Sequence, residues 1–259
     1  MTIMTSSLYV VAGFLAGLAA AGFGLGGALV ATPAIRLLGT TAAFAVGSTL
    51  PPIVPNALLL SYRYAKKQLV DWSVVVPVVL FAILGSTFGT LTTHWLNGHV
   101  LMIVTAGFLL VSAATVWFQR GTVDDSNNVA PARPHLPVLA TIGISAGFLG
   151  GLLGLGGGIV LVPAFSIWLK FPVKKAIATA LACGGWIALY STIAHIVRGD
   201  IDWRVAVLLG VGMIPGGYVG SHFAAKVSDA HHRRAFAILV GVIGLVFGIS
   251  ETVLLVQGS

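Results

Sequence analysis

Two short glycine clusters divide long apolar runs at similar positions in the two halves of the chain. They read Gly24-Leu25-Gly26-Gly27 and Gly154-Leu155-Gly156-Gly157-Gly158. Glycine clusters break helices, and a helix that starts after a break directs its free N–H groups and its positive dipole end at the break. Such an end suits an anion, although close helix packing would also explain the glycines. We predict that the anion-binding glycines are Gly24, Gly26, Gly27, Gly156, Gly157 and Gly158.

Neutral polar side chains lie inside two further apolar runs at helical spacing. Thr49 and Asn56 are seven residues apart. Thr179 and Trp186 have the same spacing, and Tyr190 follows four residues later. Each set therefore shares one helix face, from which it could donate hydrogen bonds to an oxyanion or form ordinary contacts between helices. The predicted substrate-binding side chains are Ser48, Thr49, Asn56, Thr179, Trp186 and Tyr190.

Acidic residues are nearly absent from the apolar runs. Six of the seven Asp and Glu residues lie between runs or at run ends, and Glu251 lies near the end of the last run. A sodium site or a carboxylate proton relay would need such oxygens, so the sequence argues against cation transport. For His195 the sequence leaves two roles open, an interfacial hydrogen-bonding residue or the carrier of a coupling proton. Because no enzyme or metal-ligand motif is present, we expect no catalytic activity, no cofactor and no metal.

The amino-acid composition of the chain is that of a polytopic membrane protein. Of the 259 residues, 57% are apolar and only 8% are charged, whereas soluble domains have about a quarter charged residues. A soluble globule is therefore excluded. The net charge of +7 does not indicate nucleic acid, because Lys and Arg here serve as topology signals. We expect a multi-pass protein of the inner cell membrane whose partners are the lipid bilayer and a small anion, with a homodimer as one option.

Eight apolar runs follow one another along the chain. Six have the length of one span, namely 40–62, 72–93, 99–119, 173–197, 203–225 and 235–256. The runs 6–38 and 137–169 are too long for one straight helix across a hydrocarbon core of about 30 Å. Each of these two contains a glycine cluster, so we predict a helix break there.

Matched residues indicate that the chain contains an internal duplication. The glycine cluster of the first half recurs in the second, and Asp71-Trp72 recurs as Asp202-Trp203 at nearly the same separation along the chain. Gly13-Phe14-Leu15 matches Gly147-Phe148-Leu149 at a somewhat longer separation, which predicts an additional helical turn before the first break. The predicted organisation is a first transmembrane repeat at 1–120, a cytoplasmic linker at 121–136 and a second transmembrane repeat at 137–259.

The distribution of basic residues indicates how the halves are oriented. If every run spans the membrane, the 14 Lys and Arg residues divide equally between the two sides. If run 137–169 re-enters instead, one side keeps only Arg36, Arg198 and Arg204, and the other eleven basic residues lie on the opposite side. The positive-inside rule favours this unequal distribution. With repeat symmetry, this predicts an all-α integral membrane protein of two inverted four-segment repeats, about eight hydrophobic segments in all. The first segment of each repeat is glycine-broken, either re-entrant or discontinuous.

Three stretches of the second half resemble the sulfite exporter TauE/SafE family. They are GFLGGLLGLGGGIVLVP, AIATALACGG and IAHIVRGDIDW, and the first half resembles the diverged first repeat of that family. The departures are Ala180, where the family often has Ser, and Ala28, where the second half has Gly158. The resemblance implies a secondary transporter that exports sulfite or an organosulfonate such as sulfoacetate. The alternatives are a permease for another small anion, such as a carboxylate, and a non-transporting membrane subunit or channel.

Single-cysteine labelling in a Cys183→Ser background tests the topology. Lys66→Cys and Lys174→Cys should both react from the cytoplasmic side, because a re-entrant run returns the chain to the side it left. Ser259→Cys should react from the opposite side. Labelling of positions 66 and 174 from opposite sides would rule out the re-entrant arrangement.

Overall fold

The computed structural model describes residues 3–24, 27–118, 135–224 and 229–257. The described residues form ten helices, and the predicted linker 121–136 lies outside them except for its last two residues. The helices are α1 (Ile3–Phe23), α2 (Ala28–Leu37), α3 (Ala42–Ala65), α4 (Trp72–Trp95), α5 (Gly98–Phe118), α6 (Leu136–Leu153), α7 (Gly158–Ile167), α8 (Val173–Arg198), α9 (Trp203–Ala224) and α10 (Asp229–Gln257).

Seven helices in the described ranges are long and apolar enough to cross a membrane. They are α1, α3, α4, α5, α6, α8 and α9, and a further apolar stretch, Val240–Leu254, lies within α10. The helices α2 and α7 have only ten residues each. The predicted all-helical membrane architecture is confirmed, and each of the two longest apolar runs forms a pair of helices, α1–α2 or α6–α7.

Both pairs are separated by glycines in the left-handed conformation. The backbone φ is 71° at Gly24 and 80° at Gly27, and it is 68° at Gly154 and 73° at Gly157. Only glycine adopts these angles at little cost, so the clusters end one helix and start the next. The breaks predicted from the sequence are therefore present in both halves.

The alignment of Gly13 with Gly147, on which the expected additional helical turn before the first break rests, does not hold, although α1 has 21 residues and α6 has 18. Helix α1 ends at Phe23 and α6 ends at Leu153, so the two helix ends have the same separation as the two glycine clusters. Gly13 lies against the backbone of Leu209 in α9, and Gly143 lies against the backbone of Val78 in α4, so Gly143 is its counterpart. Because glycines recur every four residues in this helix, a match shifted by one turn also aligns glycine with glycine.

Glycine faces hold two helix pairs together, α1 with α9 and α4 with α6. A Cβ added to any of these glycines would overlap the backbone of the partner helix, as small residues at close transmembrane contacts imply. They are Gly13, Gly17, Gly212 and Gly216 in the first pair, and Gly85, Gly89, Gly143 and Gly147 in the second. Helix α3 packs against α8, and α5 packs against α10. Each half therefore contributes one helix to every one of these contacts.

A methyl group at a glycine contact should loosen the α4–α6 pair. Gly147→Ala would press against the Ala82 carbonyl, and overpacking of this kind costs about 1–3 kcal/mol. We expect a lower thermal unfolding midpoint in detergent. Gly107→Ala in α5 is the matched control, since no atom lies within 4 Å of its added Cβ. An unchanged midpoint for Gly147→Ala would contradict backbone contact between these helices.

Candidate anion site at the helix breaks

The second break is buried between α3, α6 and α8. Every residue from 151 to 159 is buried. A Cβ at Gly154 would lie 2.8 Å from the Val46 carbonyl oxygen of α3, whereas the nearest atoms to one at Gly156 would be 3.7 Å away. Gly154 therefore has a packing role, and Gly156 has more space beside it.

The first break is packed in the equivalent way. Gly24 lies against Ile177 of α8, which is the counterpart of Val46 in the second half. Gly27 lies against the Ala16 carbonyl, as Gly157 lies against that of Ala146. Gly26 lies outside the described residues.

Side chains satisfy the carbonyl groups that are released where α1 and α6 end. The Tyr64 hydroxyl donates to the Ala21 carbonyl at 3.1 Å, and His195 Nε2 lies 3.4 Å from the Gly151 carbonyl oxygen. Thr93 donates to the Leu152 carbonyl at 3.2 Å. Tyr64 and His195 occupy corresponding positions in the two halves. Each half therefore supplies a different side chain to the carbonyl groups at the end of its broken helix. His195 is thus placed to hydrogen-bond a helix end, but it is fully buried rather than interfacial, and its part in proton coupling stays a prediction.

The N-terminal ends of α2 and α7 are buried without such partners. Their N-cap residues are Gly27 and Gly157, and in the described part of the chain neither helix start has a side-chain cap. The first residues, Ala28 and Gly158, are buried. The N–H groups of these first turns and the positive dipole ends therefore lie in an apolar environment without a side-chain partner among the described residues, where an anion would satisfy them.

Ser48 and Thr179, predicted as substrate ligands, anchor the loops before α9 and α4. Ser48 Oγ accepts a hydrogen bond of 2.8 Å from the Asp202 N–H, and Thr179 Oγ1 accepts one of 3.1 Å from the Asp71 N–H. The two hydroxyls have the same separation along the chain as the two aspartates, so both halves use the same contact. The structure thus places Ser48 and Thr179 in loop contacts rather than at a break.

The Asp71 carboxylate strengthens one of these loops. It pairs with Lys175 of α8 at 2.7 Å and accepts a hydrogen bond from Ser73. Burial acts to raise the pKa of Asp71, but the contacts with Lys175 and Ser73 outweigh it and hold that pKa below its usual range. Asp71 is therefore a structural carboxylate at the start of α4.

Thr49 and Asn56 lie on buried positions of α3. The Thr32 hydroxyl of α2 donates to Thr49 at 3.3 Å, so Thr49 contacts the half-helix that follows the first break. Asn56 is 1% exposed, lies against Gly217 of α9, and has no hydrogen-bond partner for either amide atom among the described residues. Burial of an unpartnered amide is unfavourable, so Asn56 is the predicted side chain with most capacity to bind a polar ligand.

Trp186 and Tyr190 do not join the buried set. Trp186 is 45% exposed and lies on the surface of the bundle. Tyr190 is half-buried, and its hydroxyl lies 2.8 Å from that of Thr87 in α4. The seven-residue spacing identifies one helix face, but the neighbours of α8 change along its length. A face that is buried at Thr179 is therefore exposed at Trp186, and the role of Trp186 as a ligand stays a prediction that its exposure does not favour.

A buried ion-pair cluster was not expected from the sequence. Arg36 Nε lies 2.6 Å from Glu251 Oε1, and His99 Nδ1 lies 2.8 Å from Glu251 Oε2. Glu251 is 1% exposed, and its two carboxylate oxygens meet these partners inside the bundle. The cluster fastens the end of α2 to α5 and α10. A carboxylate in an apolar run signals a charged partner, but the sequence does not show which one. No group of three His, Cys, Asp or Glu side chains that could hold a metal occurs in the described ranges.

Comparison with known proteins identifies the family of the chain. Residues 9–247 match the family described as Sulfite exporter TauE/SafE, and this range includes both breaks. The chain belongs to this family. The match confirms the resemblance found in the three sequence stretches.

Relatives that match nearly the whole chain are named as probable membrane transporters. The chain is 26% identical to "Probable membrane transporter protein MJ0441" of Methanocaldococcus jannaschii, over 92% of this chain and 93% of the relative. It is 24% identical to "Probable membrane transporter protein YunE" of Bacillus subtilis, over 95% and 96%. A "Probable membrane transporter protein" of Xylella fastidiosa (strain 9a5c) is 29% identical over 93% and 94%. No solved structure matches the chain. The protein is thus a probable membrane transporter of the TauE/SafE type.

Proposed function

We propose that the protein is a secondary transporter that exports a small sulfur oxyanion, either sulfite or an organosulfonate such as sulfoacetate, across the inner cell membrane. The observation that carries this proposal is the pair of buried, uncapped N-termini at α2 and α7. Membership of the TauE/SafE family supports the sulfur oxyanion as the substrate class.

In the proposed site, backbone N–H groups of the two half-helices hold the anion. Those of Gly156, Gly157 and Gly158 approach it from α7, and those around Gly27 approach it from α2. The ranges 22–38 and 150–169 contain no Asp or Glu, so no fixed negative charge from these ranges opposes the anion. Asn56 supplies a neutral donor.

The arrangement of helices suits alternating access. The glycine contacts make α1–α9 and α4–α6 two closely packed pairs, and α3 packs against α8 between the breaks. If the halves are inverted repeats, movement of one pair relative to the other would open the break region to each side in turn. Transport would then require no movement inside either pair.

Counterflow in proteoliposomes tests the proposal. Vesicles loaded with unlabelled sulfite or sulfoacetate should accumulate the labelled anion, and the rate should saturate. Gly156→Ala adds a methyl group beside the proposed site and strains a φ of 61°. We expect at least about a tenfold loss of counterflow with folded yield retained, since a lost hydrogen bond to a charged group costs about 1.5–3 kcal/mol.

Gly39→Ala is the matched control for backbone strain. Its φ is 95°, and no atom lies within 4 Å of the added Cβ, but it is remote from both breaks, between α2 and α3. We expect counterflow close to that of the wild type. An equal loss in both variants, or a fall of folded yield in step with activity, would assign Gly156 a packing role. Counterflow of carboxylates alone would identify another anion permease, and flux without saturation would indicate a channel or a subunit.

A further inference from the structure

Asp200 lies between two basic side chains at the end of α8. Its Oδ2 atom is 3.2 Å from Arg198 Nε and 3.4 Å from His195 Nδ1. Arg198 and Asp200 are about one-fifth exposed, whereas His195 is fully buried. One carboxylate is thus shared by a permanent cation and a titratable ring.

The contacts of His195 define where its protons lie. The Gly151 carbonyl can only accept, so Nε2 carries the hydrogen that points to it. In the neutral ring, Nδ1 then has a lone pair that faces the Asp200 carboxylate, which also only accepts. Nδ1 accordingly has no hydrogen-bond partner among the described residues. A proton on Nδ1 would convert two facing acceptors into a charge-assisted hydrogen bond.

A cavity of about 250 Å³ lies beside this trio of His195, Arg198 and Asp200. Arg198 and Asp200 line it, together with Thr93 at the end of α4 and Thr41 before α3. The guanidinium can bind an oxyanion through two N–H groups, but Asp200 competes for the same charge. The first residue of α3, Ala42, also lines the cavity and adds the positive end of a long helix.

We propose that this cavity is a second site for the transported anion and that protonation of His195 opens it by drawing Asp200 away from Arg198. The proton adds to the Nδ1 lone pair, and no covalent bond between heavy atoms changes. The charge of the trio rises from zero to plus one, which one negative charge on the anion compensates. Proton and anion therefore strengthen each other's binding, as linkage requires. The inference rests on the proposed anion transport and adds the place where anion and proton meet.

The charges around His195 restrict the pH response to the trio. Arg198 and Asp200 are the charged side chains that act on the ring. From the neighbouring helices, α6 presents the Gly151 carbonyl, α4 presents hydroxyls such as that of Ser86, and α7 has no titratable residue. Helix α3 meets Asp200 through Gly47. On α5, which also borders the cavity, His99 is paired with Glu251.

Calorimetric titration of the purified protein with sulfoacetate at about pH 6 and about pH 8 tests the inference. Sulfoacetate is the probe because its acid groups stay ionised over this range, whereas sulfite itself titrates. The wild type should bind two equivalents, and one of the two should bind at least about fivefold more tightly at the lower pH. The other equivalent, at the helix breaks, should show no such response.

Variants of the trio should alter only the pH-sensitive equivalent. Asp200→Asn frees Arg198, so binding should be tight at both pH values. His195→Gln cannot bind the proton, and Arg198→Gln lacks the cation, so binding should be weak at both. Asp202→Asn is the matched control, because its carboxylate lies in the same loop but bonds the N–H groups of Arg204 and Val205. It should retain the response of the wild type.

The outcomes separate this inference from the proposed function. One equivalent bound without a pH response, or an unchanged response in Asp200→Asn, would overturn the inference and leave anion binding at the breaks intact. Failure of the wild type to bind sulfoacetate at either pH would overturn the inference, and failure to bind sulfite as well would overturn the proposed function.

Discussion

Hydrogen-bonding groups that a broken helix releases cannot be satisfied by hydrocarbon, so each break needs partners from the protein or from a ligand. The two ends at a break differ in this respect. Side chains complete the C-terminal ends, where Tyr64 bonds the Ala21 carbonyl and His195 lies near that of Gly151. At the N-terminal ends the cap residues are Gly27 and Gly157, which have no side chain to offer. Among the described residues, the N–H groups at the starts of α2 and α7 thus have no side-chain partner, and this is why we propose that the site prefers an anion.

The rest of the fold keeps the two broken segments in place. Backbone contact through glycine faces packs α1 on α9 and α4 on α6, and the loop aspartates Asp71 and Asp202 repeat one contact in both halves. The halves differ in their side chains rather than in their backbone. A tyrosine in one half corresponds to a histidine in the other, and the Arg36–Glu251 pair holds α2. Such differences are where coupling and substrate choice can enter a duplicated fold.

The sequence predicted those features that depend on local properties of the chain. Apolar runs located the spanning helices, and glycine clusters located the breaks, because hydropathy and left-handed backbone angles are properties of a few neighbouring residues. Matched residues also indicated a repeat, although periodic glycines allowed a shift of one turn. Contacts between distant residues were not predictable in this way. Ser48 bonds a loop of the other half, Glu251 meets an arginine near the opposite end of the chain, and Trp186 lies on a face whose neighbour changes along the helix.

The central claim is that the uncapped starts of α2 and α7 bind the anion. Selenite is the heavier relative of sulfite, and selenium can be located by anomalous diffraction from crystals grown with it. The account predicts a selenium peak within about 4 Å of the backbone nitrogens of Gly156 to Gly158, a hydrogen-bonded distance for an oxyanion centre. Loss of this peak in crystals soaked with excess sulfite would show that the two anions share the site. A well-ordered break region without selenium, in crystals that hold selenite elsewhere, would contradict the account.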